Sequence, residues 1–233
     1  MSLNAEQRAQ VELQAKAHMH SRYQVNIELA PGVILNDFIV RPKVLRPEVM
    51  SSLQLAQWLY FNNGLYLDKT VIDMGCGSGI QGVVAGLYGA RQIIFSDISQ
   101  RAKDNTEENV CQYGLKVRSK IVQGDLFENV SEKAHLIIFN HMFFSDSSLE
   151  EQISLPSFSL SCGELIHRFL EDAKNFLLPE GKIIMPYFHL AGPINDPGVQ
   201  APRHGYSVDR RWHMQVTTGL QKGWHSIYVI DLK

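Results

Sequence analysis

Val71-Ile72-Asp73-Met74-Gly75-Cys76-Gly77-Ser78-Gly79 is the stretch on which the fold turns. Two β-branched residues read as a short buried strand, three alternate glycines as a tight loop, and the small residues from Ile80 to Tyr88 as a helix. Glycine lets the backbone approach a ligand closely, and the first N–H groups of the following helix are left free to bind it. The pattern then repeats. Gln92-Ile93-Ile94-Phe95 is a second strand, Ser99 caps a helix that stops at Gly114, and residues 117–123 and 136–139 are two more strands. Leu165, Ile166, Phe169, Leu170, Ala173, Phe176 and Leu177 line one face of a long helix, and Gly181 turns it into the strand Lys182 to Met185. Strands alternating with helices predict an α/β fold: a doubly wound, mostly parallel, seven-stranded sheet with helices on both faces.

Working outward, residues 5–20 read as a helix and residues 24–40 as a hairpin about Pro31-Gly32, a small N-terminal extension spanning 1–45 ahead of a main domain at 46–233. Pro47 is expected to open a helix that ends near Gly64. Residues 186–211, with Pro186, Pro193, Pro197 and Pro202, read as one long loop, followed by strands at 212–217 and 226–232 that add an antiparallel hairpin to the sheet edge.

Composition narrows the function. The chain has 233 residues, 45% hydrophobic and 20% charged, enough to bury a core unaided. A net charge of -2 gives no global attraction for nucleic acid or an anionic membrane. Cys76, Cys111 and Cys162 are far apart, the nine histidines form no ligand cluster (His18 and His20 read as a solvated helix face), and no metal site is expected. The polar start, the reduced cysteines and the lack of an apolar run of the roughly 18–20 residues that span a bilayer predict a cytoplasmic protein.

The glycine loop alone suits a dinucleotide or S-adenosylmethionine (SAM), and Gly77-Ser78-Gly79-Ile80-Gln81-Gly82 even satisfies G-x-G-x-x-G. That fingerprint is out of register with the strand end, where the first glycine is Gly75. Asp73 would also repel a pyrophosphate, whereas SAM carries cationic ammonium and sulfonium groups. The reading therefore favours SAM over a nicotinamide dinucleotide. Asp97, ending the second strand, suits the two ribose hydroxyls, and Asp125, ending the third, the adenine amino group. Cys76 reads as a small loop residue, with no base beside it.

The run 71–79, Asp97 and Gly124-Asp125 resemble class I SAM-dependent methyltransferases over roughly residues 45–186. Arg46-Pro47-Glu48, Asn140-His141-Met142-Phe143 and the layout from Leu155-Pro156 to Pro179-Glu180-Gly181 resemble, more narrowly, the release-factor glutamine methyltransferases and their methyltransferase small domain relatives. That resemblance implies a Rossmann-like fold, with SAM held by Asp73, Gly75, Cys76, Gly77, Gly79, Asp97, Ile98, Asp125, Leu126 and Asn140, and S-adenosylhomocysteine as the product.

It also implies roles for the loop after the fourth strand. Where the family has Asn-Pro-Pro-Tyr, this chain has Asn140-His141-Met142-Phe143. Asn140 and the His141 carbonyl would hold the hydrogens of a planar nitrogen, and Phe143 would stack on the substrate. The prolines that fix the family loop are absent, and His141 is open to a second role as general base. Arg46 is expected to help close the site. The expected acceptor is a nitrogen nucleophile of a protein. A small metabolite, an RNA base and a non-catalytic SAM-binding module stand as alternatives, and nucleic acid is not favoured. Tyr187, His189, Arg203 and His204 read more readily as loop surface than as pocket.

Overall fold

The computed structural model describes residues 3–17, 19–144, 164–218 and 221–233. His18, Cys162 and Leu155-Pro156 lie outside the described residues. The chain runs α1 (Ala5–Ala17), β1 (Tyr23–Ala30), β2 (Val33–Val40), α2 (Met50–Phe61), β3 (Thr70–Met74), α3 (Ile80–Leu87), β4 (Gln92–Asp97), α4 (Gln100–Gln112) and β5 (Ser119–Gln123). It continues through β6 (Ala134–Phe139), α5 (Glu164–Phe176), β7 (Leu177–Phe188), α6 (Pro197–Gln200), β8 (Tyr206–Thr218) and β9 (Gln221–Leu232).

Seven strands form one sheet in the order β5-β4-β3-β6-β7-β9-β8. The first five are mutually parallel, and β9 is antiparallel to both neighbours. The doubly wound reading is borne out. Alternation along each strand supplies two cores, one per face. Val71, Ile138 and Ile184 pack with Leu55, Leu59, Val83 and Val84 of α2 and α3. Ile72, Ile137 and Ile183 pack with Ile166, Phe169 and Leu170 of α5 and with Val11 of α1.

The winding places the site. From β3 the chain steps outward through β4 to β5, then crosses back to lay β6 on the other side of β3. Neighbouring loops diverge at this reversal and leave a crevice at the carboxyl ends of β3 and β6, where open α/β sheets bind ligands. Close packing beneath it depends on Gly82: a Cβ there would lie 2.2 Å from the Phe95 ring.

The extension shares the main core. Ile27, Leu29, Leu35 and Phe38 of the β1–β2 hairpin are buried with the residues of α2 and α3. Asn105 and Asn109 of α4, both fully buried, hold the backbone of β2: Asn109 Oδ1 accepts from the Ile39 N–H at 2.9 Å, and both amides donate to the Ile39 carbonyl.

Three expectations need correction. α2 opens at Met50, not Pro47, with an extended Val49 as its uncapped start. Residues 186–211 are not one loop. β7 carries on through Pro186 to Phe188, a 3-10 turn and α6 follow, and β8 already begins at Tyr206. β7 pairs with β6 only as far as Ile184, so at Pro186 β9 is its single strand neighbour and the missing N–H costs no bond on the other edge. β9 begins at Gln221 rather than 226, because the hairpin pairing is registered as far as Thr218↔Gln221. Among the described residues no helix is long and apolar enough to cross a membrane, and no cluster of His, Cys, Asp and Glu could hold a metal.

Candidate active site

A cavity of about 190 Å³ opens at the switch point. Of the residues singled out from sequence, Gly75, Gly77, Asp97, Ile98, Asp125, Leu126, Asn140 and His141 form its wall. Asp73, Cys76, Gly79 and Phe143 do not.

The glycine loop builds the floor. Gly75 and Gly77 have φ of 61° and 56°, the left-handed region that costs any residue with a Cβ roughly 1–2 kcal/mol. A Cβ on Gly77 would meet no protein atom within 4 Å, so bare backbone borders the cavity here. Two side chains of α4 brace the loop from behind. Thr106 Oγ1 donates to the Gly77 carbonyl at 3.2 Å, and Asn109 Nδ2 to the Ser78 carbonyl at 2.9 Å.

Asp97 is fixed by backbone. One carboxylate oxygen accepts from the Gly77 N–H and the other from the Ser99 N–H, both at 2.9 Å. Each oxygen has a second lone-pair direction to spare, so the carboxylate keeps two acceptor sites for a diol. Burial raises its pKa, against the lowering effect of the Ser99 and Gly77 N–H groups. Beside it Ile98 is 55% exposed, an apolar side chain left uncovered at the cavity edge.

Asp73 stands behind the loop, where its carboxylate accepts from the Gly82 N–H at 2.8 Å. Burial pushes its pKa up to about 8, the Gly82 N–H lowers it, and Asp97 raises it further. At that pKa the group is largely protonated near pH 7, and it does not reach the wall, so its role is to hold the start of α3 through the Gly82 N–H. Cys76 is buried with Sγ 3.3 Å from Thr106 Oγ1, and burial raises its thiol pKa well above normal, which leaves no thiolate for catalysis. Asp125 gives one oxygen to Arg168 of α5, a partner invisible in the local sequence.

The acceptor side is assembled from β6, α2 and the segment after β7. Asn140 follows β6, and its amide is gripped by the first turn of α2: Ser51 Oγ donates to Oδ1 at 3.1 Å, and Nδ2 donates to Ser52 Oγ at 2.9 Å. His141 is buried. Its Nε2–H donates to the Asn195 carbonyl at 3.1 Å, so Nδ1 carries a bare lone pair that finds no donor among the described residues. Desolvation lowers its pKa to about 4, only partly offset by Asn195 and Asp196. The imidazole is neutral near pH 7.

Phe143, expected to stack on a substrate, is buried instead against Tyr187 and His141, with ring centroids 5.3 and 5.5 Å away. Arg46 binds Glu48 and lies over the Tyr23 ring, away from the cavity wall. Tyr187 and His189 do stand near the loop, Tyr187 stacked with His141 at 6.1 Å and His189 bonded to Ser226 at 2.7 Å. His204 instead pairs with His167, and Arg203 with Gln200.

Sequence reading missed Lys43, Val44 and Leu45, which complete the wall from the extension, as well as Met142 and Leu165. It also missed the bracing pair Thr106 and Asn109. Their signal was present: Asn105, Thr106 and Asn109 lie at i, i+1, i+4, a polar stripe on the face of α4 that also carries Ala102 and Val110.

Comparison with known proteins agrees with this geometry. The family model of the methyltransferase small domain matches residues 51–188, more than half of the chain, and the chain belongs to that family. It is a SAM-dependent methyltransferase. Among its relatives is a Methanocaldococcus jannaschii protein named "Putative protein N5-glutamine methyltransferase", 27% identical over 66% of this chain and 76% of that one. A ribosomal protein uL3 glutamine methyltransferase of Bordetella pertussis is 28% identical over 58% of this chain, and this match spans only 48% of that relative's length. The ribosomal protein L11 methylase structure from Lactobacillus delbrueckii superposes with a TM-score of 0.55 at 21% identity, covering 77% of this chain and 78% of that one, a likeness of fold.

The residues present fit SAM. An apolar, partly uncovered wall at Ile98 and Leu126 suits adenine, the spare acceptors of Asp97 suit the ribose hydroxyls, and bare glycine backbone at Gly75 and Gly77 leaves room for the methionine end.

Proposed function

We propose that this protein transfers the methyl group of SAM to a nitrogen of a protein side chain presented to the Asn140 loop. The observation that carries the reading is the Asn140 amide, held by Ser51 and Ser52 on the wall of the cavity that Asp97 and the glycine loop also line. The relatives named as protein glutamine methyltransferases support a protein acceptor.

When bound, SAM supplies a methyl group activated by its sulfonium, so the chain's own task is positioning, worth on the order of 7–11 kcal/mol for well-aligned reactants. Oδ1 of Asn140 keeps a lone pair free beyond the Ser51 bond, and the His141 carbonyl offers a second acceptor. Together they hold the two hydrogens of the acceptor nitrogen and turn its lone pair toward the methyl. As the new N–C bond forms, one N–H proton must leave. The bare Nδ1 of neutral His141 can accept it, directly or through water. Phe143 supports the imidazole from behind. Residues 1–45, on this reading, brace the site through Ile39 and Lys43–Leu45 and do not form an independent unit.

The test is labelled methyl transfer from SAM into a cell extract divided by protease and nuclease treatment. Protease-sensitive label that disappears with Asn140→Ala supports the reading. Label confined to nuclease-sensitive or small-molecule fractions overturns it.

A further inference from the structure

The acceptor loop has little framework of its own. Among the described residues, none of residues 140–144 makes a backbone–backbone hydrogen bond beyond the β6 ladder, and none is a proline or glycine. Its shape is set by groups that reach in from elsewhere. At one end Ser51 and Ser52 hold the Asn140 amide. At the other end a single residue, Asn195, makes two contacts. Its backbone carbonyl accepts from His141 Nε2–H at 3.1 Å, and its side-chain Nδ2 donates to the Phe143 carbonyl at 2.9 Å. Both bonds are buried, and they straddle Met142 of the cavity wall.

Asn195 can act as a fixed point because its own segment is pinned. Residues 192–196 present five consecutive carbonyls, and each has a donor. Tyr187 Oη donates to Gly192, and Gln200 Nε2 donates to Pro193 and Ile194 at 3.2 and 2.7 Å. The Val199 and Gln200 N–H groups donate to Asp196, both at 2.9 Å. Only the Asn195 carbonyl is spent on the acceptor loop.

That bond also fixes a tautomer. A carbonyl can only accept, so Nε2 of His141 carries the proton and Nδ1 does not. Rings enclose the imidazole: Phe139 and Phe143 lie 5.5 Å away, centroid to centroid, and Tyr187 stacks at 6.1 Å. Asp196 is the charged group that acts on it. The imidazole therefore keeps the orientation that Asn195 sets.

We propose that Asn195 is a positioning residue for methyl transfer: its two bonds hold the carbonyl and the bare Nδ1 of His141 in one setting against Asn140. The inference rests on the reading of the Asn140 loop as the acceptor site. Asn195 is not part of the cavity wall, so it acts through His141 and not on SAM. Without the Nδ2 donor, the Phe143 carbonyl loses its partner and the loop divides among arrangements of which one is productive.

The experiment compares the full chain with Asn195→Ala and with Asn195→Asp, which keeps the shape but puts an oxygen where the donor stood. Three quantities are measured: SAM affinity by calorimetry, the His141 tautomer by nitrogen NMR of histidine-labelled protein near pH 7, and protease-sensitive methyl labelling of cell extract at saturating SAM. His141→Gln identifies the ring signal. The wild type should show one His141 tautomer, protonated at Nε2. Both variants should label about 10-fold more slowly or worse, with SAM affinity within about 3-fold and ring signals averaged over both tautomers. Labelling within about 2-fold of wild type overturns the proposal, as does SAM affinity that falls in step with labelling. A slowed variant that keeps the wild-type tautomer, or a wild type protonated at Nδ1, also overturns it. A wild type with the expected tautomer that labels no protein would instead sink the acceptor reading, leaving the Asn195 bonds as structure alone.

Discussion

The two halves of the crevice are built by different physics. On the cofactor side, the two carboxylates at the glycine loop are held by backbone N–H groups, Asp97 by Gly77 and Ser99 and Asp73 by Gly82. Arg168, Thr106 and Asn109 reach in from α5 and α4 to Asp125 and the loop carbonyls. On the acceptor side, partners come from far along the chain. Ser51 and Ser52 hold Asn140, Asn195 holds His141, and Gln54 holds His225. Among the described residues, two imidazole nitrogens there, His141 Nδ1 and His225 Nε2, are buried without a hydrogen-bond partner. A buried polar atom without a partner costs about 1–3 kcal/mol, and this stretch of the molecule is where the site gives up stability for chemistry.

The strongest way to break the contrast is Asn140→Ala. It should lower kcat about 100-fold, the scale of a misplaced reactant, while SAM affinity moves by no more than about 3-fold. Steady-state transfer kinetics and calorimetry check the two numbers. Gly82→Ala attacks the other half through packing alone. Its Cβ would lie 2.2 Å from Phe95, so α3 must shift, and a loss of about 1–3 kcal/mol is expected in urea unfolding.

The halves should also differ in pH dependence. Burial raises Asp73 from 3.8 to about 8, so its contribution is present below the unfolded pKa and is lost as pH rises through that window. His141 and His225 are lowered from 6.5 to about 4, so their contribution is present above 6.5 and is lost as pH falls toward 4. In urea-unfolding series across pH, Asp73→Asn should remove a fall in stability between about pH 4 and 8, and His225→Gln a rise in stability between about pH 4 and 6.5. A smaller effect sharpens the comparison further. Ser51→Ala with Ser52→Ala frees the Asn140 amide and should cost about 3- to 10-fold in kcat, with SAM binding unchanged.

The same contrast explains what could be read from sequence. Gly75, Gly77, Asp97, Asp125 and Leu126 follow their strands directly, so strand, loop and ligand wall are one contiguous statement. The parallel order was legible because Val71, Ile93 and Leu136 lie in short apolar runs separated by helices. The acceptor side was harder. Nothing local to Asn140 says that α2 will grip it. Nothing local to Phe143 distinguishes a stacking ring from one buried under Tyr187. Pro186 disguised a strand, because a proline is tolerated where β7 has one strand neighbour, and that follows only from the sheet order. Lys43 to Leu45 looked like the end of an extension and turned out to be cavity wall.

One measurement bears most directly on this division of labour: SAM binding by calorimetry to Asp97→Ala and Asn140→Ala, with methyl transfer measured on the same samples. The account expects both variants to lose transfer, but only Asp97→Ala to lose SAM, by about 100-fold or more, since its carboxylate provides charge-assisted acceptors. Undiminished SAM binding by Asp97→Ala, or loss of SAM by Asn140→Ala, would contradict it.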